Sequence, residues 1–385
     1  MKYLANLMLG AAVFMGPLAA VSPLNSDSAI STSPVEDFAV CGDSGVRFLN
    51  FSDALNKTTF GELFVSELSA ISYDSASGAY KAVADRAGSV RSHTFDLSIG
   101  TPGLAAGVPT VTAATILSTP GGAAYTGANL DAEGIVIRQD GTIFVASEGG
   151  SAAGEQPEIH QFATDGTQLN SVAVPPGFLI GTNNVSFESL TESPGGHTLF
   201  TANEGPLVVD GRTADLRSRL RIVRFAQDDA GGFEAAGEFF YLTEPGRTTG
   251  DLGVAELLAV SPTSLLVLER GFLAGQGNTI RIFLVSLVGA QDVSEVQSLA
   301  AEGLAPLAKT LIVDLAQCPD GGATVPAGAT QPNALLDNFE GMTFGPELEG
   351  GMRSLVLISD DNGSATQTTR IVVLGVPRLE LTPAP

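Results

Sequence analysis

Glu133-Gly-Ile-Val-Ile137, a turn, and Ile143-Phe-Val-Ala-Ser-Glu148 make one unit: a carboxylate opens an apolar run, and a second run closes on another carboxylate. The pattern recurs. Before it stand Glu67-Leu-Ser-Ala-Ile-Ser-Tyr73 and Tyr80-Lys-Ala-Val-Ala-Asp85; after it come Glu188-Ser-Leu-Thr191 with Thr198-Leu-Phe-Thr-Ala-Asn-Glu204. Glu256-Leu-Leu-Ala-Val260 with Leu265-Leu-Val-Leu-Glu269, and Glu340-Gly-Met-Thr-Phe344 with Leu355-Val-Leu-Ile-Ser-Asp360-Asp361, complete the set. Short apolar runs rich in β-branched residues and bounded by turns read as strands, so each unit reads as a β-hairpin.

Two more strand candidates follow each hairpin. They are Val90–Leu97 and Thr110–Leu117, Glu158–Phe162 and Leu169–Val174, Leu220–Phe225 and Glu238–Leu242, then Thr279–Val285 and Lys309–Leu315. Four strands per repeat is the content of one propeller blade. The last repeat is one strand short, with Arg370–Leu374 as its third and only Arg378–Thr382 behind it. Val46–Phe51 precedes the first hairpin and is predicted to close the ring as the fourth strand of the last blade, removing an exposed sheet edge. The fold class is therefore all-β, a propeller of five four-stranded blades. A sixth, degenerate blade between residues 286 and 335 is the alternative, but it finds few strand candidates. Residues 314–332, dense in Gly, Pro and Ala, read as an insertion loop.

A repeat architecture makes one domain of the 385 residues, because no single repeat buries its own apolar face. Residues 1–20 read as a secretory signal, with Lys2, an apolar stretch from Leu7 to Phe14, and Pro17-Leu-Ala-Ala20 before cleavage. Residues 21–40, rich in Ser, Pro and Asp, read as a disordered lead-in, and 41–382 as the propeller. A secreted or periplasmic protein is expected. The apolar part of the leader is too short for a good membrane span, and no later run reaches the ~18 residues that one requires.

The formal net charge of −23 excludes whole classes of partner. Nucleic acid and anionic membranes are bound through clustered Lys and Arg, and Lys2, Lys57, Lys81 and Lys309 are the only lysines. Cations are attracted instead. A monomer acting on a small molecule is the expectation. Cys41 and Cys318 are the two cysteines, and in an oxidising compartment a bridge and two free thiols are equally open readings. Cys41-Gly-Asp-Ser-Gly-Val-Arg47 matches the Cys-x5-Arg spacing of thiol phosphatases, but no His precedes it and no helix follows.

Antiparallel neighbours put the start of one strand and the end of the next at the same sheet edge. Up to ten carboxylates are therefore expected around one channel mouth: Glu67, Asp85, Glu133, Glu148, Glu188, Glu204, Glu256, Glu269, Glu340 and Asp360, with Asp361 adjacent. Carboxylates so close take up protons or cations, and hard oxygens suit Ca²⁺. Arg86 and Arg270 follow Asp85 and Glu269 and could pair with a carboxylate or grip a phosphate. Glu133, Glu188, Glu256, Glu340, Arg86 and Arg270 are the candidate catalytic residues, and the eleven acids the candidate metal ligands. The plainer reading is that the acids cap strand ends and hold the blades in register. His93, His160 and His197 read as solvent-exposed strand or turn residues away from the channel, which disfavours a Ser-His-Asp triad.

The segments Asp131-Ala-Glu-Gly134, Phe187-Glu-Ser-Leu-Thr191, Thr201-Ala-Asn-Glu-Gly-Pro-Leu207, Leu268-Glu-Arg-Gly271, Asn338-Phe-Glu-Gly-Met342 and Ser359-Asp-Asp-Asn362 together resemble the phytase-like family. The resemblance spans roughly residues 60–375. It implies a β-propeller, export, and hydrolysis of phosphate esters or other esters; Ca²⁺-bound phosphate chemistry enters by analogy with the β-propeller phytases. The scarcity of Lys departs from a strong phosphate binder and leaves Arg86, Arg270, Arg212 or Arg247 to meet a polyanion. A non-catalytic extracytoplasmic binding propeller with structural calcium is the alternative. A lactonase- or sugar-oxidising-type propeller would want Asn and His ligands, and histidine is scarce.

Overall fold

A computed structural model describes residues 38–85, 88–100, 103–104, 109–149, 155–179, 185–248 and 252–378. By contacts the chain divides after Thr32, and everything below concerns the unit Ser33–Pro385. The expected signal, nearly all of the lead-in, and Arg86 lie outside the described residues.

Five four-stranded antiparallel sheets are present among the described residues. Blade 1 comprises Leu68–Tyr73, Tyr80–Ala84, Arg91–Asp96 and Thr110–Ile116, and blade 2 comprises Ala132–Ile137, Ile143–Ser147, Glu158–Phe162 and Gln168–Val172. Blade 3 comprises Thr191–Glu192, Thr198–Ala202, Arg219–Gln227 and Phe233–Leu242, and blade 4 comprises Leu252–Ser261, Ser264–Leu273, Gly277–Ser286 and Lys309–Asp314. Blade 5 takes Phe339–Glu347, Met352–Ser359 and Ile371–Pro377, and its outer strand is Arg47–Ser52 from the start of the described chain. The N-terminal closure expected from the sequence is thus the arrangement found. First strands of successive blades touch in cyclic order, blade 5 against blade 1 included, so the sheets form a ring. No sixth blade stands among the described residues.

Each main apolar cluster lies between two neighbouring blades. Leu266, Ile282, Leu355 and Leu374 join blades 4 and 5; Tyr80, Phe95, Val356 and Val373 join blades 5 and 1. Clusters built on Phe144 with Phe225, on Phe200 with Leu265 and Val267, and on Val83 with Val145 close the other three interfaces. The core is therefore five slabs between blades.

Two long connections decorate blade 4. Residues 287–308 place Val293 and Leu299 on Phe240, and residues 315–338 open with the short 3-10 turn Leu315–Gln317 and lead into blade 5. Cys318 in the second connection forms a disulfide with Cys41, 277 residues away in sequence. The Cys-x5-Arg reading of Cys41 ends there, because the sulfur that would attack phosphate is tied up in the bridge. Arg370 holds the same connection from blade 5, donating to the carbonyls of Ala334 (2.6 Å) and Thr324 (3.1 Å) while gripping Asp53 through Nε and Nη2. None of the described helices is long and apolar enough to cross a membrane.

Candidate active site

Strand register sets which side chains enter the channel. In blade 2, Ala132 pairs with Ser147 and Gly134 with Ala146, so Glu133 is an extra residue bulged out of the ladder. Blade 5 repeats this: Phe339 pairs with Ser359 and Gly341 with Ile358, leaving Glu340 as the bulge. In blade 3 Phe187 bridges Asn203 and Thr191 pairs with Phe200, again one residue long, with Glu188 directly after Phe187. A bulge re-aims a side chain, and here it does so at the same level of three blades. In blades 1 and 4 the bulged residues are Ser69 and Ala255.

The same register identifies the partner position on each second strand. It is held by Asp85, Glu148, Glu204, Arg270 and Asp360, each one residue beyond the pair that flanks the bulge. Three bulged acids and four second-strand acids therefore face one arginine. Asp85, Glu133, Glu148, Glu188, Glu204, Glu340, Asp360 and Arg270 all line a cavity of about 670 Å³.

Four of the expected acids do not line it. Glu269 is one residue out of step with Arg270, and in a strand one residue is the difference between two faces. Its carboxylate is buried and accepts from Tyr241 Oη (2.6 Å), Lys309 Nζ (2.6 Å) and the amide of Glu244 (3.0 Å). Glu256 lies one residue past the bulge, where Gly134 and Gly341 stand in blades 2 and 5. It accepts the amide of Leu257 at 3.0 Å, and those of Leu190 and Met342, tying the inner strands of blades 3, 4 and 5 together. Burial pushes its carboxyl well above the usual range, against the pull of those amides. Asp361 pairs with Lys57 and accepts the amides of Glu67 (3.1 Å) and Gly363 (3.1 Å). Glu67 stands opposite Asp85 in blade 1 and is displaced from the bulge by two residues. Seven of the expected acids converge on the cavity, and Glu256, Glu269 and Asp361 instead hold the fold.

Arg270 is the only cation among the described lining residues, and its contacts are all internal. Nη1 donates to Asn338 Oδ1 at 3.0 Å; Nη2 meets Glu204 at 2.7 Å and Glu188 and Glu340 at 3.3 Å each. Asn338 in turn donates to Glu340 Oε1 at 2.9 Å. Burial alone would lower the Arg270 pKa, but Glu340, Glu204, Glu188 and Asp360 outweigh it and raise it.

Three of the lining carboxyls are nonetheless raised. Burial, then the charges of Glu188, Asp85, Glu148 and Asp131, push Glu133 well above the carboxylate range. Glu188 is raised by burial and by Glu204, Glu148 and Glu340, with Arg270 opposing. Asp360 is raised by burial and by Glu340 and Asp85. Carboxyl oxygens of Asp85, Asp131 and Glu133 lie within 4.8 Å of one another, and all three residues are buried. Two oxygens opposite each other on Ca²⁺ are roughly 4.6–5.2 Å apart, so the set fits a hard divalent cation. This buried cluster could bind a metal ion. Asp131 is not among the ligands expected from the repeat; its signal is the local Asp-x-Glu-Gly, which puts two acids on the same side of a strand start.

His93 and His160 depart from expectation in burial. His93 is fully buried, accepts from Arg91 Nε at 3.0 Å, and is lowered to about 4 by desolvation and Arg91, so it stays neutral. His160 is buried and contacts Ser171 (2.9 Å) and Glu158 (2.7 Å), because the face of the third strand that carries it packs against Tyr125. His197 is exposed, as expected. None of the three lines the acidic cavity.

No curated protein matches this chain in sequence. Among solved structures the chain is similar to an endo-arabinase from Bacteroides thetaiotaomicron (12% identity over 81% of this chain and 94% of that one, TM-score 0.42). It is also similar to the major allergen Mala s 1 of Malassezia sympodialis (10%, 83% and 95%, TM-score 0.40) and to an α-L-arabinofuranosidase from Clostridium thermocellum (9%, 78% and 84%, TM-score 0.41). Likenesses of this size say nothing about what this chain does. The family model described as phytase-like, esterase-like activity of phytase, matches residues 64–363, and with its acidic five-bladed ring the chain belongs to the phytase-like family.

Proposed function

We propose that the protein is an exported, cation-dependent hydrolase of esters, phosphate esters included, acting at the acidic mouth of the ring. The observation that carries this reading is the charge balance among the described lining residues: seven carboxylates against one guanidinium, which three of them already engage. Such a site accommodates an anionic or polarised oxygen only with added positive charge. Asp85, Asp131 and Glu133 would hold a divalent ion of the Ca²⁺ type, which when bound supplies the charge that an ester or phosphoryl oxygen needs. Glu188 and Asp360, both raised, are suited to hold a proton and deliver it to the oxygen of the departing alcohol as water adds to the ester. Arg270 keeps Glu188, Glu204 and Glu340 in place. Export is supported by the leader-like N-terminus and by the Cys41–Cys318 bridge.

The test is turnover of 4-nitrophenyl acetate and 4-nitrophenyl phosphate with Ca²⁺ and with chelator. Chelation should abolish turnover, and Glu133→Gln should lower kcat/KM by about 100-fold or more. Wild-type turnover no higher than that of the variant would sink the reading. The structural roles of Glu256, Glu269 and Asp361 favour one second reading, a binding propeller with a structural cation. A melting temperature that rises with Ca²⁺ while no ester is cleaved would select it.

A further inference from the structure

The cavity is lopsided above its acidic floor. On the side of blades 4 and 5 its wall is made by Phe272, Asn278, Thr330, Gln331, Thr366 and Gln367, which carry amides, hydroxyls and one aromatic ring but no charge. The insertion of residues 315–338 supplies Thr330 and Gln331, so this wall exists because blade 4 is followed by a long connection.

Three observations point to what this wall holds. Asn278 is 3% exposed, and its Oδ1 is buried without a hydrogen-bond partner. An amide oxygen in that state is an acceptor for which the described residues supply no donor. The backbone N–H of Asn278 donates to Gln331 Oε1 at 2.8 Å, which anchors the Gln331 side chain at this wall. Phe272, at 56% exposure, offers an open aromatic ring at the rim, which suits the C–H face of a sugar ring. Against these stands the lack of free positive charge: Arg270, the one described lining cation, is engaged by three carboxylates and Asn338. A substrate body bearing several phosphates would meet repulsion from the floor and no donor cation among the described residues of the wall.

We infer that the non-reacting part of the substrate is a neutral polyhydroxylated ring, a sugar or cyclic polyol, seated on the blade 4–5 wall with its hydroxyls on Asn278 and Gln331 and one face on Phe272. This rests on the proposed hydrolase reading for the reacting end of the same cavity, while the binding itself needs no turnover. It selects esters and monophosphates of sugars over polyphosphorylated compounds.

The experiment is titration of the full protein with methyl β-glucoside, methyl β-xyloside and myo-inositol, followed by ligand-observed NMR, with myo-inositol hexakisphosphate as the anionic comparison in chelator. At least one neutral ring should bind the wild type. Phe272→Ala and Asn278→Ala should each weaken that binding about fivefold. Phe272 is exposed, so its variant reports even if Asn278→Ala fails to fold. No binding by any neutral ring, equal binding by Phe272→Ala, or tighter binding of the hexakisphosphate would overturn the inference. Neutral rings that bind without any ester being cleaved would sink the hydrolase and leave this site standing; cleavage without such binding would do the reverse.

Discussion

Arg270 decides the charge balance of the channel mouth. It occupies the position that Asp85, Glu148, Glu204 and Asp360 hold in the other blades, and it gathers Glu188, Glu204 and Glu340 around one guanidinium. Removing one partner of a buried ion network leaves the others uncompensated. Arg270→Met should therefore cost about 3–5 kcal/mol of unfolding free energy in chelator, with Ca²⁺ recovering much of the loss. Urea denaturation with and without the ion checks this. A loss below ~1 kcal/mol would show that the guanidinium is not what holds these three acids together. The sequence puts Arg270 beside an acid but does not show which of Glu269 and Arg270 faces inward, because that turns on a register shift between Val254 and Glu256.

At the scale of the strand, the Glu-Gly pairs have a packing cause. A Cβ on Gly134 would lie 2.6 Å from the backbone nitrogen of Leu190 and 2.7 Å from the carbonyl carbon of Ser189. On Gly341 it would lie 2.9 Å from the nitrogen of Ile71 and 2.6 Å from Ile358 Cγ2. The inner strands converge on the axis, so the residue after Glu133 and after Glu340 meets the next blade's backbone, which cannot step aside. Gly134→Ala and Gly341→Ala should each destabilise by about 1–3 kcal/mol. Gly177→Ala, where nothing lies within 4 Å, should stay within about 0.5 kcal/mol. Equal effects at all three positions would show that the close approach is not what selects glycine. The motif is legible as a repeat, whereas its reason lies in Leu190 and Ile71, each one blade further round the ring.

For the whole ring, the concentration of buried acids links stability to pH. Burial and neighbouring carboxylates raise Glu133, Glu188 and Asp360 in the folded state. A carboxyl raised on folding contributes stability that is complete below its unfolded pKa of ~4 and is lost as pH rises through the folded value. Cation-free protein should therefore lose stability as pH rises above about 4 on account of these groups. Added Ca²⁺ should raise the melting temperature more at pH 8 than at pH 5. Calorimetry in chelator and in Ca²⁺ tests this, and a Ca²⁺ shift independent of pH would contradict it. The Cys41–Cys318 bridge acts at the same scale, joining the approach to the closing strand of blade 5 to the connection that leaves blade 4.

Read alone, the chain specifies the repeat, the strand content, the closure by a strand over Val46–Phe51, and an excess of carboxylates at one end of every hairpin. Each is local or periodic: alternation, turn residues and spacing can be read without knowing what touches what. That Glu133, Glu188 and Glu340 enter the cavity while Glu67, Glu256, Glu269 and Asp361 do not is settled by the assembled ring. A bulge or a single-residue shift turns a side chain to the opposite face, and pairing between strands fixes it. The neutral wall carrying Asn278 and Phe272 is equally hidden in the sequence, since it forms where an insertion folds back over a blade, and no spacing in the chain records that contact.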